Sequence, residues 1–238
     1  MYKKNKILAI ILARGGSKRL KNKNIRLINS KPLIYWTIKA AKQSNLIDDI
    51  VVSTDSKKIA LICKKLKVFV PFLRPKKFSG DKSSSIEAII HCLKFLENKK
   101  CFYNYCILLE PTSPLRDSLD IDNSIKELIN NQSADSLVSL AKVETSHPSY
   151  MYRINKNKKI FHYYKKSKKI IRNQDVENLY FLEGSLYISK IQTLKTKKTF
   201  YHNKTIAKIF PKWKSIEVDD IIDLKIAELI LKNKKNFL

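Results

Sequence analysis

Two adjacent glycines, Gly15 and Gly16, make up half of the four glycines in this 238-residue chain, and cations crowd around them. Arg14 precedes the pair; Ser17, Lys18, Arg19, Lys21, Lys23 and Asn24 follow it. Glycine at positive φ lets successive backbone N–H groups converge on an anion. Such a nest, ringed by cations at the carboxyl end of a strand, is chemically suited to a triphosphate. The spacing is neither G-x-x-x-x-G-K-S/T nor G-x-G-x-x-G, because Ser-Lys-Arg-Leu follows Gly16. In a lysine-rich chain an ordinary basic surface turn has the same composition, so these residues alone leave both readings open.

The loop follows Ile7–Ala13, a short continuous apolar run of the kind that forms a strand buried on both faces. Further apolar runs predict strands at Ile50–Ser53, Val68–Val70, Tyr105–Leu109 and Ser136–Leu140. Helical periodicity predicts helices over Leu33–Lys42, Lys57–Leu66, Ser85–Leu96 and Ile121–Ile129, the first opened by Pro32. This βαβα alternation implies an α/β fold, a doubly wound, mostly parallel sheet with helices on both faces. Ligands of such sheets lie beyond the carboxyl ends of the strands. Those ends carry Arg14–Asn24, Thr54-Asp55, Arg74–Ser85 and Glu110–Arg116, where the polar residues concentrate. From His147 to Ser189 the pattern changes to short alternating strands at Tyr150–Ile154, Ile160–Tyr164 and Leu179–Ser189, with lysine-rich turns. It reads as a small antiparallel arm at about 145–190, inserted in a single domain spanning 1–238. Ser215–Asp219 and Ile221–Leu231 read as a strand and an amphipathic helix returning to the sheet.

The formal net charge of +27 suggests an anionic partner, but the lysines are spread along the whole chain rather than gathered in a stripe with aromatic residues. A basic nucleic-acid-binding protein is therefore the lesser alternative, and no nucleic-acid partner is expected. No apolar run approaches the roughly 20 residues that span a bilayer. Arg14 interrupts the first apolar run as a signal peptide would not tolerate. A cytoplasmic protein without a membrane partner is expected. Cys63, Cys92, Cys101 and Cys106 lack metal-ligand spacing and read as free thiols.

Five blocks in order resemble the acylneuraminate cytidylyltransferases, the CMP–sialic acid synthetase family. They are Leu12-Ala-Arg-Gly-Gly-Ser-Lys-Arg-Leu-Lys-Asn-Lys-Asn-Ile25, Ile50-Val-Val-Ser-Thr-Asp55, Leu73-Arg-Pro75 with Asp81 and Ser83–Ser85, Leu109-Glu-Pro-Thr-Ser-Pro-Leu-Arg116, and Ser215-Ile-Glu-Val-Asp219. The resemblance covers nearly the whole chain and implies a Rossmann-like nucleotidyltransferase fold, a homodimer, and transfer of CMP from CTP to an acidic nonulosonic sugar using Mg²⁺. Carried over by residue, it assigns the CTP phosphates to Arg14, Gly16, Ser17, Lys18, Lys23 and Asn24, and the cytidine to Arg74, Ser83 and Ser84. Glu110, Thr112, Ser113, Arg116, Arg172 and Gln174 fall to the sugar, and Glu217 and Asp219 to Mg²⁺, with Arg14, Lys23 and Asp219 catalytic. Mg²⁺ takes one or two carboxylates with phosphate oxygens and water, and i, i+2 spacing puts Glu217 and Asp219 on one face of a strand. Spacing alone fits a solvated strand edge equally well.

The chain departs from the family pattern in three places. Glu217 stands where the metal strand usually carries aspartate, and Glu110 where glutamine precedes Pro-Thr-Ser-Pro. An amide donates to an acidic sugar and a carboxylate does not. Phe181-Leu-Glu-Gly184 replaces an Arg-Pro-Asn-Gly stretch, and with Arg172-Asn-Gln-Asp175 looks more like the bacterial relatives that activate legionaminic or pseudaminic acid. The alternative within the same chemistry is an enzyme for the eight-carbon acid Kdo.

Overall fold

A computed structural model describes residues 1–80, 83–144, 146–163 and 176–234. β1 (Ile7–Leu12) lies inside the main sheet with nearly every residue buried. Its side chains alternate between two cores, as a pleated strand requires. Ile7, Ala9 and Ile11 face one core, Leu8 and Ile10 the other. A two-residue hairpin, β2 (Leu27–Ile28) and β3 (Lys31–Pro32), leads into α1 (Leu33–Gln43), whose N-cap is Pro32 in an extended conformation. Then come β4 (Asp49–Ser53), α2 (Lys57–Lys65), α3 (Ser85–Asn98), β5 (Tyr105–Leu109), α4 (Ser118–Asn130) and β6 (Ser136–Lys142). The remainder comprises β7 (Tyr152–Ile154), β8 (Ile160–His162), β9 (Tyr180–Lys190), α5 (Ile191–Lys197), β10 (Thr205–Phe210) and α6 (Ile221–Lys232).

The main sheet has the order β10-β6-β9-β5-β1-β4. β9 is antiparallel to both of its neighbours and every other pairing in that sheet is parallel. Helices cover both faces: α1, α2 and α4 contribute Ile38, Ile59 and Ile125 to one core, while α3 and α5 contribute Ile89, Leu93 and Leu194 to the other. This is the expected doubly wound α/β architecture.

Several elements differ from the sequence reading. Leu179–Ser189, expected in the arm, instead forms most of β9 and enters the centre of the sheet; among the arm's described residues β7 and β8 pair as a separate hairpin. Val68–Val70 makes one isolated bridge to β4 rather than a strand. Ser215–Asp219 forms no strand, and the Val218 N–H donates to the Thr112 carbonyl at 2.7 Å. α5 and β10 were not anticipated. Among the described residues no helix is long and apolar enough to cross a membrane, and Cys63, Cys92, Cys101 and Cys106 are free.

Candidate active site

The ends of β1 and β5 open onto one cleft of about 560 Å³. At its floor the Gly15 N–H donates to Asp55 Oδ1 at 2.8 Å, so the turn after β4 anchors the turn after β1. Gly15 is required by crowding: a Cβ there would fall 2.9 Å from Ser56 Cβ, while one at Gly16 would meet nothing within 4 Å. Neither glycine has the positive φ that the sequence suggested; among the described glycines only Gly184 does. Asn24 is buried and donates to the Arg14 carbonyl at 2.9 Å, folding the loop back on itself. The short helical turn Lys23–Ile25 then presents Lys23 to Asp219, Nζ to Oδ1 at 2.9 Å, across 196 residues of sequence. Arg19 holds the other Asp219 oxygen at 2.7 Å, and these two cations keep the Asp219 carboxyl below its ordinary pKa.

Asp219 is fixed from its own side as well. Asp220 caps α6, and Asp223 accepts from the backbone N–H groups of Asp219 and Asp220 at 3.0 and 3.1 Å. Val218 is buried beside Leu20 and Leu224, which ties this segment to the glycine loop. Glu217 and Asp219, on either side of Val218, both line the cleft, so the expected sharing of one face holds without a paired strand. Glu217 Oε1 accepts from Thr112 Oγ1 at 3.0 Å.

The opposite wall carries Arg74, Phe78, Ser83 and Ser84. Arg74 is buried; its N–H donates to the Thr54 carbonyl at 2.7 Å and its Nε to Ser79 Oγ at 3.2 Å. Burial lowers its pKa, against which Asp55 and Glu110 act. The Ser83 hydroxyl holds the preceding turn by donating to the Lys77 carbonyl at 3.0 Å, and Ser84 caps α3. His91 backs Phe78, ring centroids 4.9 Å apart.

Glu110 and Thr112 line the end nearest Glu217. Glu110 has its pKa raised to about 7, first by burial and then by Glu217, with Arg116, Lys23 and Arg74 opposing.

The cleft therefore collects Arg14, Ser17, Lys18, Lys23, Asn24, Arg74, Ser83, Ser84, Glu110, Thr112, Glu217 and Asp219 in one place. Ser113 and Arg116, expected at the sugar side, do not line it. Ser113 is fully buried, and Arg116 lies beneath the floor at 2% exposure. Arg116 Nη1 donates to the Ser185 carbonyl and Nη2 to Thr37 Oγ1 at 2.9 Å, so its guanidinium joins backbone and side chains rather than facing a substrate. Arg172 and Gln174 lie outside the described residues. Arg19 and Phe78 line the cleft without having been assigned a role; Arg19 was visible in the basic loop, whereas no local pattern singles out Phe78.

The donor chemistry suits a hard dication: carboxylate oxygens of Asp219 and Glu217 face a cleft lined by Lys18, Lys23, Arg14 and Arg74. Among the described residues no cluster of three or more histidine, cysteine or acidic side chains forms an all-protein metal cage.

The sequence profile of the family described as Cytidylyltransferase matches residues 8–237. The CMP-N,N'-diacetyllegionaminic acid synthase of Legionella pneumophila is 34% identical, over 95% of this chain and 97% of its own length. The N-acylneuraminate cytidylyltransferase of Escherichia coli is 33% identical over 98% of this chain, but that match takes in 54% of the longer protein. A pseudaminic acid cytidylyltransferase of Campylobacter jejuni is 29% identical over 95% of this chain and 97% of its own. The solved structure of CMP:2-keto-3-deoxy-manno-octonic acid synthetase complexed with CTP superposes with a TM-score of 0.69 at 16% identity, covering 96% of this chain and 99% of that one. At that identity the likeness is one of fold.

Proposed function

Because the chain belongs to the cytidylyltransferase family, we propose that it transfers CMP from CTP to the anomeric hydroxyl of an acidic nonulosonic sugar. The observation that carries this reading is the meeting of Lys23 and Asp219, 2.9 Å apart, in a cleft lined by the cationic glycine loop. In the reaction the sugar hydroxyl loses its proton, its oxygen forms a bond to the α-phosphorus, and the α–β phosphoanhydride bond breaks to release pyrophosphate. Transfer of this kind needs alignment and neutralisation of charge more than covalent help from the protein.

In this reading Arg14, Ser17, Lys18, Lys23 and the backbone around Gly16 hold the triphosphate. Arg74 and the Ser83–Ser84 turn take the cytidine, and Glu110 and Thr112 face the sugar. Glu217 and Asp219 would hold Mg²⁺, which supplies charge neutralisation at the phosphates when bound. The names of the relatives support a legionaminic- or pseudaminic-type acid as acceptor. A homodimer is supported by apolar side chains left exposed on β7 and β8, Tyr152, Ile154, Ile160 and Phe161, and on β9, Phe181 and Leu182. Free thiols fit the cytoplasm.

The purified protein with CTP and Mg²⁺ is expected to release pyrophosphate with legionaminic, pseudaminic or N-acetylneuraminic acid. Release with Kdo alone, or with none of these acids, overturns the proposal.

Glu110 gives this reading a pH signature. Its raised pKa leaves the carboxyl protonated below about 7, where it donates to the acceptor as the family's glutamine would. Above that pH it is an anion facing an acidic sugar. The KM for the sugar is expected to rise about tenfold from about pH 6 to pH 8. Glu110→Gln, a donor at every pH, should flatten that rise in steady-state kinetics. An unchanged slope in the variant would assign the titration to another group.

A further inference from the structure

Along its edge with β6, β9 does not keep one register. Val138 pairs with Tyr187 and Leu140 with Leu182, so Ser139 alone stands opposite the four residues Glu183–Leu186. The bulge is a held structure. Ser139 Oγ accepts from the Leu186 N–H and donates to the Leu186 carbonyl, both at 3.0 Å, and Ser185 Oγ donates to Glu183 Oε1 at 2.5 Å. Arg116 grips the Ser185 carbonyl from below. Bulges of this kind re-aim side chains near active sites.

What this bulge brings to Glu217 is a bare backbone. Gly184 sits at φ +81, and a Cβ added there would fall 3.1 Å from Glu217 Oε2 and 3.3 Å from its Cδ. On its other oxygen the same carboxylate accepts from Thr112 Oγ1. Glu217 is thus confined between a hydroxyl and the missing side chain of a glycine.

We infer that Gly184 is a positioning residue: the β9 bulge and its bare α-carbon keep open the room occupied by the Glu217 carboxylate and so set its direction into the cleft. The inference rests on the proposed role of Glu217 as a metal ligand. Two causes could make Gly184→Ala harmful. Backbone strain at positive φ acts whatever stands at position 217. Crowding of the carboxylate acts only while the side chain is long enough to reach the new methyl group. Glu217→Asp withdraws the carboxylate by one methylene and separates the two.

The test is a double-mutant cycle of Gly184→Ala and Glu217→Asp. It is read by kcat with CTP and sugar, and independently by calorimetric Mn²⁺ affinity in the presence of CTP without sugar. Gly184→Ala is expected to lower both by about tenfold in the parent and by less than about twofold in the Glu217→Asp background. Equal losses in the two backgrounds would assign the effect to strain and overturn the inference. Gly184→Asn, which tolerates positive φ while keeping a Cβ, should show the same dependence on position 217, and thermal melts verify that each variant folds. Undiminished Mn²⁺ binding by Glu217→Gln would instead remove the metal role on which the inference rests, an outcome read separately from the cycle.

Discussion

Asp219→Asn is expected to lower kcat on the order of 10²–10³-fold while leaving the fold intact. Asp219 is where the two ends of the chain converge on the cleft: one oxygen takes Lys23 Nζ at 2.9 Å and the other Arg19 Nη1 at 2.7 Å. Both cations belong to the glycine loop proposed to hold the phosphates, so the carboxylate orients them as well as offering, in that reading, a hard ligand to a dication. The amide keeps the shape but removes the charge that sustains both functions. Stability should hardly move. The Asp219 side chain is 34% exposed and Arg19 75%, and pairs this open to solvent contribute about 1 kcal/mol at most. The backbone at Asp219 is held independently through Asp223. Steady-state kinetics beside a thermal melt will separate these effects, with a change in Tm of no more than about 4 °C. Full turnover in the variant would take Asp219 out of the catalytic set.

Arg116→Leu should do the reverse, acting first on stability. Arg116 is 2% exposed and its pKa is lowered to about 10, chiefly by burial, with Glu183 opposing. Glu183 is itself buried, with its pKa raised by that burial. Removing the guanidinium strands a buried carboxyl, frees the Ser185 carbonyl and leaves Thr37 Oγ1 without its donor. Leaving a buried carboxyl without its neighbouring cation, together with two acceptors without a donor, costs about 3–5 kcal/mol, which for a chain of this size lowers Tm by about 10 °C. Arg116→Leu combined with Glu183→Leu should recover much of that loss, because no lone charge is then left inside. Urea denaturation of the two variants checks both statements. A single variant as stable as the parent would show that Arg116 does not brace the floor of the cleft.

Arg116 also shows where the sequence stops being informative. Its place in Pro-Thr-Ser-Pro-Leu-Arg marks the segment after β5 as functional. Spacing does not separate a guanidinium that faces a substrate from one that joins two buried backbones. The central features were legible because their signals are local. A short continuous apolar run that ends at a glycine pair reads as a buried strand, and the glycines among cations read as the turn that follows it. Even there the physical reason shifted, from positive φ to the nearness of Ser56. What failed was non-local. β9 looked like part of an arm because lysine-rich turns precede it, whereas its place is fixed by β5, where Tyr105 pairs with Lys190. β10 hid behind Lys208, a charge in mid-strand that an edge position tolerates. Glu217 and Asp219 kept their alternation without a strand because one buried side chain, Val218, and one backbone hydrogen bond suffice to hold it.

The antiparallel β9 in the middle of the sheet has a consequence for how the chain is made. β4, β1 and β5 come from the first 109 residues and can associate as soon as these have left the ribosome. β6 cannot join them, since among the described residues its partners are β9 and β10 alone. Until Tyr180–Lys190 is synthesised, β5 carries an open edge of Tyr-Cys-Ile-Leu-Leu, and unpaired apolar edges of this kind invite association between nascent chains. Closing that gap brings together strands distant in sequence, the slow kind of step in folding. The carboxylates of Glu217 and Asp219 arrive later still. The cleft is therefore assembled last, after the translation of residues up to Asp219.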